Sequence, residues 1–129
     1  MATKRVFISF DYDHDEDLRN LLVGQAKNPD TPFQIANWSV KEPFMGDWKE
    51  KVRQRIRQTD LTVVICSPWT HTATGVATEL DITRQEGKPY FLLWGRPDKI
   101  CQKPTNAHPS DTIYKWTWDN LKALIAGTR

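Results

Sequence analysis

Cysteine is scarce: the 129-residue chain has two, Cys66 inside an apolar run and Cys101 in a stretch that reads as loop. Thiols so placed do not form a disulfide framework and read as the reduced cysteines of a cytoplasmic protein. No apolar run approaches the length that a membrane span needs. Met1-Ala-Thr-Lys-Arg5 leads straight into a strand pattern, so no signal peptide is expected. An excess of one charge sign is also missing. The net charge is +2, which gives no footing for nucleic-acid binding; basic residues crowd Lys49 to Arg57, but Asp11, Asp13, Asp15, Glu16 and Asp17 balance them. Internal repeats and low-complexity segments are absent. A chain of this size is expected to form one domain over residues 1–129, with enough bulk for a two-sided core. Arg129 follows closely on the last helical pattern, so no effector domain is expected in cis.

What is present alternates between strand and helix. Val6 to Phe10 reads as a strand, and the acids Asp15, Glu16 and Asp17 open a helix whose apolar stripe is Leu18, Leu21, Leu22 and Ala26. Phe33 to Trp38 is a more polar strand, expected nearer an edge. A loop from Ser39 to Gly46 holds Pro43, Phe44 and Met45, and Asp47 with Glu50 has the pattern of a capping box. The helix it opens buries Trp48, Val52 and Ile56, leaving Lys49, Lys51, Arg53, Arg55 and Arg57 largely on a solvated face or a docking surface. Leu61 to Cys66 is the most apolar run, which suits a strand buried on both faces. A polar loop follows, then a helix closing at Gly87. Tyr90 to Trp94 and Thr112 to Trp116 are the fourth and fifth strands, and Thr117 caps a last helix carrying Trp118, Leu121, Leu124 and Ile125, with Gly127 at its C-cap.

This alternation predicts an α/β fold: a flavodoxin-like, three-layer α/β/α sandwich on a five-stranded parallel sheet of order 2-1-3-4-5. Its ligand crevice would lie at the carboxyl ends of strands one and three. Glu79 falls on the helix after strand three, where Ala73, Val76, Ala77 and Leu80 repeat at i, i+3, i+4, i+7. At 100° per residue, Glu79 lies about 110° from the centre of that stripe, at the margin of the buried face. Six tryptophans are many for this length. Most are expected to fill the core, but Trp38, Trp48 and Trp69 fall near loop ends on one rim, where an indole can stack on a flat ligand.

Several chemistries are excluded by what the crevice loops contain. A flavin phosphate site needs a Ser/Thr/Gly-rich loop after strand one, and Asp11-Tyr-Asp-His-Asp-Glu-Asp17 would repel an anion. A phosphoacceptor receiver needs an aspartate after strand three, where this chain has Cys66-Ser67. Asp11, Asp13, His14 and Asp15 would make a hard-ligand metal set, but their place before a helix explains them without an ion, and no metal is expected. A lone carboxylate suits attack at a glycosidic carbon, where it opposes an oxocarbenium-like centre. When the leaving group is already a cation, as nicotinamide is in NAD+, no general acid is needed opposite it.

Val6-Phe-Ile-Ser-Phe-Asp-Tyr-Asp-His-Asp15, then Thr62-Val-Val-Ile-Cys-Ser-Pro-Trp-Thr-His-Thr72, then Val76-Ala-Thr-Glu-Leu80 and Gly87-Lys-Pro89 resemble the segments of TIR domains in order. The similarity runs from about Lys4 to Trp94, and is greatest to the branch that includes the NAD-processing subunit of the Thoeris anti-phage system. That resemblance implies an NAD+ nucleosidase or cyclase with Glu79 as catalytic carboxylate. It also implies substrate contacts at Phe10, Asp11, Ser39, Trp48 and Ser67, with Ser39 to Trp48 forming a covering loop. NAD+ would be substrate and no cofactor is expected. Self-association, and a separate effector protein reading an ADP-ribose-derived signal in anti-phage defence, would follow. Related members carry an acid before the serine after strand two, where this chain has Asn37-Trp38-Ser39. A non-catalytic TIR-type interaction module and a nucleoside deoxyribosyltransferase-like enzyme share the crevice and remain alternatives.

Overall fold

The structure is a computed structural model that describes residues 4–28, 31, 33–38 and 48–127. Strands β1 (Lys4–Ser9), β2 (Phe33–Trp38), β3 (Leu61–Cys66), β4 (Tyr90–Trp94) and β5 (Ile113–Lys115) alternate with helices α1 (Glu16–Ala26), α2 (Trp48–Arg57), α3 (Thr74–Gln85) and α4 (Trp118–Ala126). All ladders are parallel, and the sheet order is β2-β1-β3-β4-β5. That is the flavodoxin-like order expected from the alternation. β3 pairs with both β1 and β4, and every one of its residues is buried.

Strand alternation sorts the core into two faces. Val6, Ile8 and Phe10 of the β1 segment join Leu61, Val63, Ile65, Phe91 and Leu93 in one apolar layer, covered by Leu18 and Leu22 of α1 and Leu121, Leu124 and Ile125 of α4. On the other face Val64, Cys66 and Leu92 pack against Val76 and Leu80 of α3, and Phe7 packs against Val52 and Ile56 of α2 with Ile82 of α3. Leu21 is 55% exposed. The stripe of α1 is completed instead by Val23 and Ala26, which pack against the core. Leu21 points well away from the line joining Leu18, Leu22 and Ala26.

The helix ends follow their residues. Gly87 takes φ +68°; its N–H donates to Arg84 O at 3.0 Å and that of Lys88 to Thr83 O at 3.1 Å, the paired bonds of a Schellman motif. Thr117 Oγ1 accepts from Asn120 N at 3.1 Å, and Gly127 closes α4 at φ +79°. β5 is shorter than its sequence pattern, leaving Thr112 and Trp116 outside the ladder. A short 3-10 turn, Thr70–Thr72, breaks the loop read as irregular after β3. Gly95, just past β4, lies where chains converge: a Cβ there would meet Leu18 Cδ1 at 2.6 Å, Cys66 O at 2.8 Å and Ile65 Cγ2 at 2.9 Å.

The basic face of α2 is partly engaged. Arg53 Nη1 donates to Glu86 Oε2 at 2.8 Å and Arg57 Nε to Glu86 Oε1 at 2.6 Å, so α2 is tied to the end of α3. Both cysteines are free and buried in the α3-side core. No helix among the described residues is long and apolar enough to cross a membrane.

Candidate active site

β1 connects outward to β2 and β3 connects to β4 in the opposite direction, so the switch point of the sheet, where open α/β sheets hold ligands, lies at the carboxyl ends of β1 and β3. Glu79 reaches that position from α3. It is 3% exposed, and Oε1 accepts a hydrogen bond of 2.6 Å from the hydroxyl of Ser9, the last residue of β1. The carboxylate therefore belongs to the buried face of its helix and not to the margin where the stripe placed it. The reason lies in two polar residues. The buried set is Val76, Glu79, Leu80, Ile82 and Thr83, and Thr83 meets the equally buried Thr62 of β3 at 3.0 Å. A stripe drawn only through apolar residues points the helix wrongly where hydroxyls pair across the core.

Ser9 was missed by every sequence argument. Its signal was present: it is the sole polar residue in Val6-Phe-Ile-Ser-Phe10 and falls on the same strand face as Phe7, opposite Phe10. That alternation separates two of the expected site residues. Phe10 packs into the α1/α4 layer, with Arg19 Cζ 5.9 Å from its ring centroid and Tyr12 at 6.0 Å. Its side chain lies on the sheet face away from Glu79.

The loops beside the switch point are locked together. Asp11 is buried; its carboxylate accepts from Asp13 N at 3.1 Å and pairs with His14 Nδ1 at 2.7 Å. His14 stacks on Trp69 with centroids 4.7 Å apart and planes within 8°, joining the loop after β1 to the loop after β3. Ser67 is fully buried, and its hydroxyl donates to Asp15 Oδ2 at 2.5 Å and accepts from Trp69 N at 3.3 Å. Arg96, from the loop after β4, donates to Asp15 Oδ1 at 3.1 Å and Asp17 Oδ1 at 2.9 Å, and to His14 O at 3.0 Å. Asp15 occupies the N-cap position of α1 but makes no side-chain cap, because its carboxylate is turned to Ser67 and Arg96. Arg96 went unnoticed in the sequence, where nothing marks it among the loop residues.

Burial pushes the Asp15 carboxyl above its ordinary range, against the pull of Ser67 and Arg96. The exposed Asp17 is held low by its hydrogen bond to Arg96. Burial raises the Cys66 thiol strongly, so the cysteine beside the site is no thiolate at neutral pH. Among the described residues no group of three or more His, Cys, Asp or Glu side chains is arranged to hold a metal ion. Ser39, and with it the Ser39 to Gly46 loop and Asp47, lies outside the described residues; Trp48 begins α2, its side chain likewise outside them. The described set thus brings Glu79 to Ser9, and Ser67 and Asp11 to the neighbouring loop lock.

Residues 7–99 match the family model described as Thoeris protein ThsB, TIR-like domain. The matched span includes β1 through β4, with Ser9, Asp15, Ser67, Glu79 and Arg96; β5 and α4 fall beyond it. No curated protein matches the chain.

Proposed function

Because the chain belongs to the Thoeris ThsB TIR-like domain family, we propose that it cleaves NAD+ at the nicotinamide–ribose bond, with Glu79 as the catalytic carboxylate. The observation that carries this reading is the buried Glu79 carboxylate, hydrogen-bonded to Ser9 at the switch point of the sheet. In the reaction the C1′–N bond breaks and its electron pair goes to the pyridinium nitrogen, releasing neutral nicotinamide. Positive charge develops on the ribosyl carbon, and a fixed carboxylate in a water-poor site opposes it by several kcal/mol more than in water. Water or a nucleophile of the ADP-ribose itself then bonds to that carbon, and the proton that water or a hydroxyl loses passes to solvent. The step needs neither metal nor second acid.

The product would be an ADP-ribose-derived signal in anti-phage defence, read by a separate effector protein. The enzyme would act in the cytoplasm, self-associate, and use NAD+ as substrate without a further cofactor. Phe10, Asp11, Ser39, Trp48 and Ser67 stay proposed as residues of the substrate site. Asp11 and Ser67 would act through the loops they hold, and Phe10 through its backbone, given where its ring packs. Incubating the purified protein with NAD+, and separately with deoxynucleosides, and resolving the products by chromatography tests the reading. Nicotinamide release by the wild type and its loss in a folded Glu79→Gln are expected. Release that survives Glu79→Gln, or base exchange on deoxynucleosides in its place, sinks the proposal.

A further inference from the structure

Ser9 and Glu79 meet in a place closed to bulk water, the serine fully buried and the glutamate nearly so. Two neighbouring contacts show that this meeting is built and not incidental. Thr83 Oγ1 donates to the backbone oxygen of Glu79 at 2.8 Å, and it lies 3.0 Å from Thr62 Oγ1 of β3. A hydroxyl has one proton. With that proton given to the carbonyl, Thr83 accepts from Thr62, which pins α3 against β3 one turn beyond Glu79. The rotation so fixed aims Glu79 at β1, where the Ser9 hydroxyl donates to it.

We propose that Ser9 is a positioning residue for Glu79, holding its carboxylate ionised and in one orientation. The inference rests on the reading of Glu79 as the carboxylate that opposes the ribosyl cation. A hydrogen bond given to the charged form favours that form and so counters the cost of burial. The chemical type of the donor matters as well. A lysine or arginine in place of the hydroxyl would stabilise the carboxylate but cancel its field at the reacting carbon. A serine hydroxyl supplies a dipole and no charge, so it adds no cation to offset the carboxylate's field at the reacting carbon. Ser9 does not touch the substrate in this scheme; it acts only through Glu79.

The test compares wild type, Ser9→Ala, Ser9→Thr and Glu79→Gln. The carboxyl carbon of Glu79 is followed by NMR across a pH titration, assigned by its disappearance in Glu79→Gln, and steady-state NAD+ cleavage is measured alongside. In Ser9→Ala the carboxyl midpoint should move to higher pH, and kcat should fall about ten- to a hundredfold while KM stays within about twofold. Ser9→Thr restores the hydroxyl and should restore both. An unchanged midpoint in Ser9→Ala, or equal losses in the alanine and threonine variants, overturns the proposal. If the wild type itself cleaves no NAD+, the reaction assigned to Glu79 falls, and the NMR titration still decides whether Ser9 governs its carboxylate.

Discussion

Ser67 and Gly95 are two single residues whose replacement has a predictable cost. The Ser67 hydroxyl is the donor to a fully buried carboxylate oxygen. Ser67→Ala leaves that oxygen one partner short, and the unfolding free energy should drop by about 1–3 kcal/mol, read from urea denaturation with an unchanged m-value. Gly95 has no room for even a methyl group. One of the atoms that a Cβ would meet at under 3 Å is the backbone oxygen of Cys66, which cannot swing aside as a side chain does. Gly95→Ala should therefore lose about 1–3 kcal/mol by overpacking, visible as a lower melting temperature. By contrast Glu79→Gln retains an oxygen for the Ser9 hydroxyl, so its melting temperature should stay close to that of the wild type while NAD+ cleavage disappears.

At the scale of elements, β3 is the member that the sheet cannot lose. Val64 is fully buried between β1 and β4 and packs beneath α3. Val64→Asp places an unpaired carboxylate there, a cost of several kcal/mol against a total stability of about 5–15 kcal/mol, and should leave little soluble folded protein. The α2–α3 clamp is a weaker tie, since its guanidinium groups reach solvent. Glu86→Gln should lower the melting temperature by no more than a few degrees, and less at high salt. These elements were legible in the sequence because periodicity reports burial: β3 is continuous, the pattern closes at Gly87, and Thr117 and Gly127 mark both ends of α4. The order of the sheet followed from the alternation and nothing finer. What misled was the assumption that a buried face is apolar. Glu79, Thr83, Thr62 and Ser9 share one interior seam, and hydropathy has no sign for a hydroxyl that pairs with a carboxylate or with another hydroxyl. Arg96 was illegible for another reason. Its partners His14, Asp15 and Asp17 lie in one segment about 80 positions earlier in the chain, a separation that no local pattern encodes.

For the molecule as a whole, two ion clusters, Arg96 with Asp15 and Asp17, and Glu86 with Arg53 and Arg57, shape its response to acid. The folded Asp15 carboxyl titrates above its unfolded range, so protonation there favours the fold; that contribution is complete below the unfolded pKa and is lost as pH rises through the folded one. Asp17, held low by Arg96, and Glu86, held low by Arg57 and Arg53, act in the opposite sense. Their contribution is present above the unfolded carboxylate pKa and disappears as pH falls through their folded values. The two tendencies oppose each other on acidification. Asp15→Asn keeps an acceptor for Ser67 but removes the first of them, so its stability should fall more steeply than that of the wild type between neutral pH and the carboxylate range. Chemical denaturation at a series of pH values and low salt measures the two slopes. Equal slopes would show that Asp15 does not gain a proton in the folded state.

Asp15 lies 52 positions before Ser67 and 81 before Arg96. A ribosome delivers the chain from the N-terminus, and contacts this distant must wait for their partners to be made. When β1, β2 and β3 have emerged, Ser67 is already at hand, but the cation for Asp15 has not been synthesised. Closing the end of β1 over that carboxylate is unfavourable until the turn after β4 leaves the exit tunnel. The rim that Asp15 anchors can therefore reach its final set of hydrogen bonds only after Arg96 has been made.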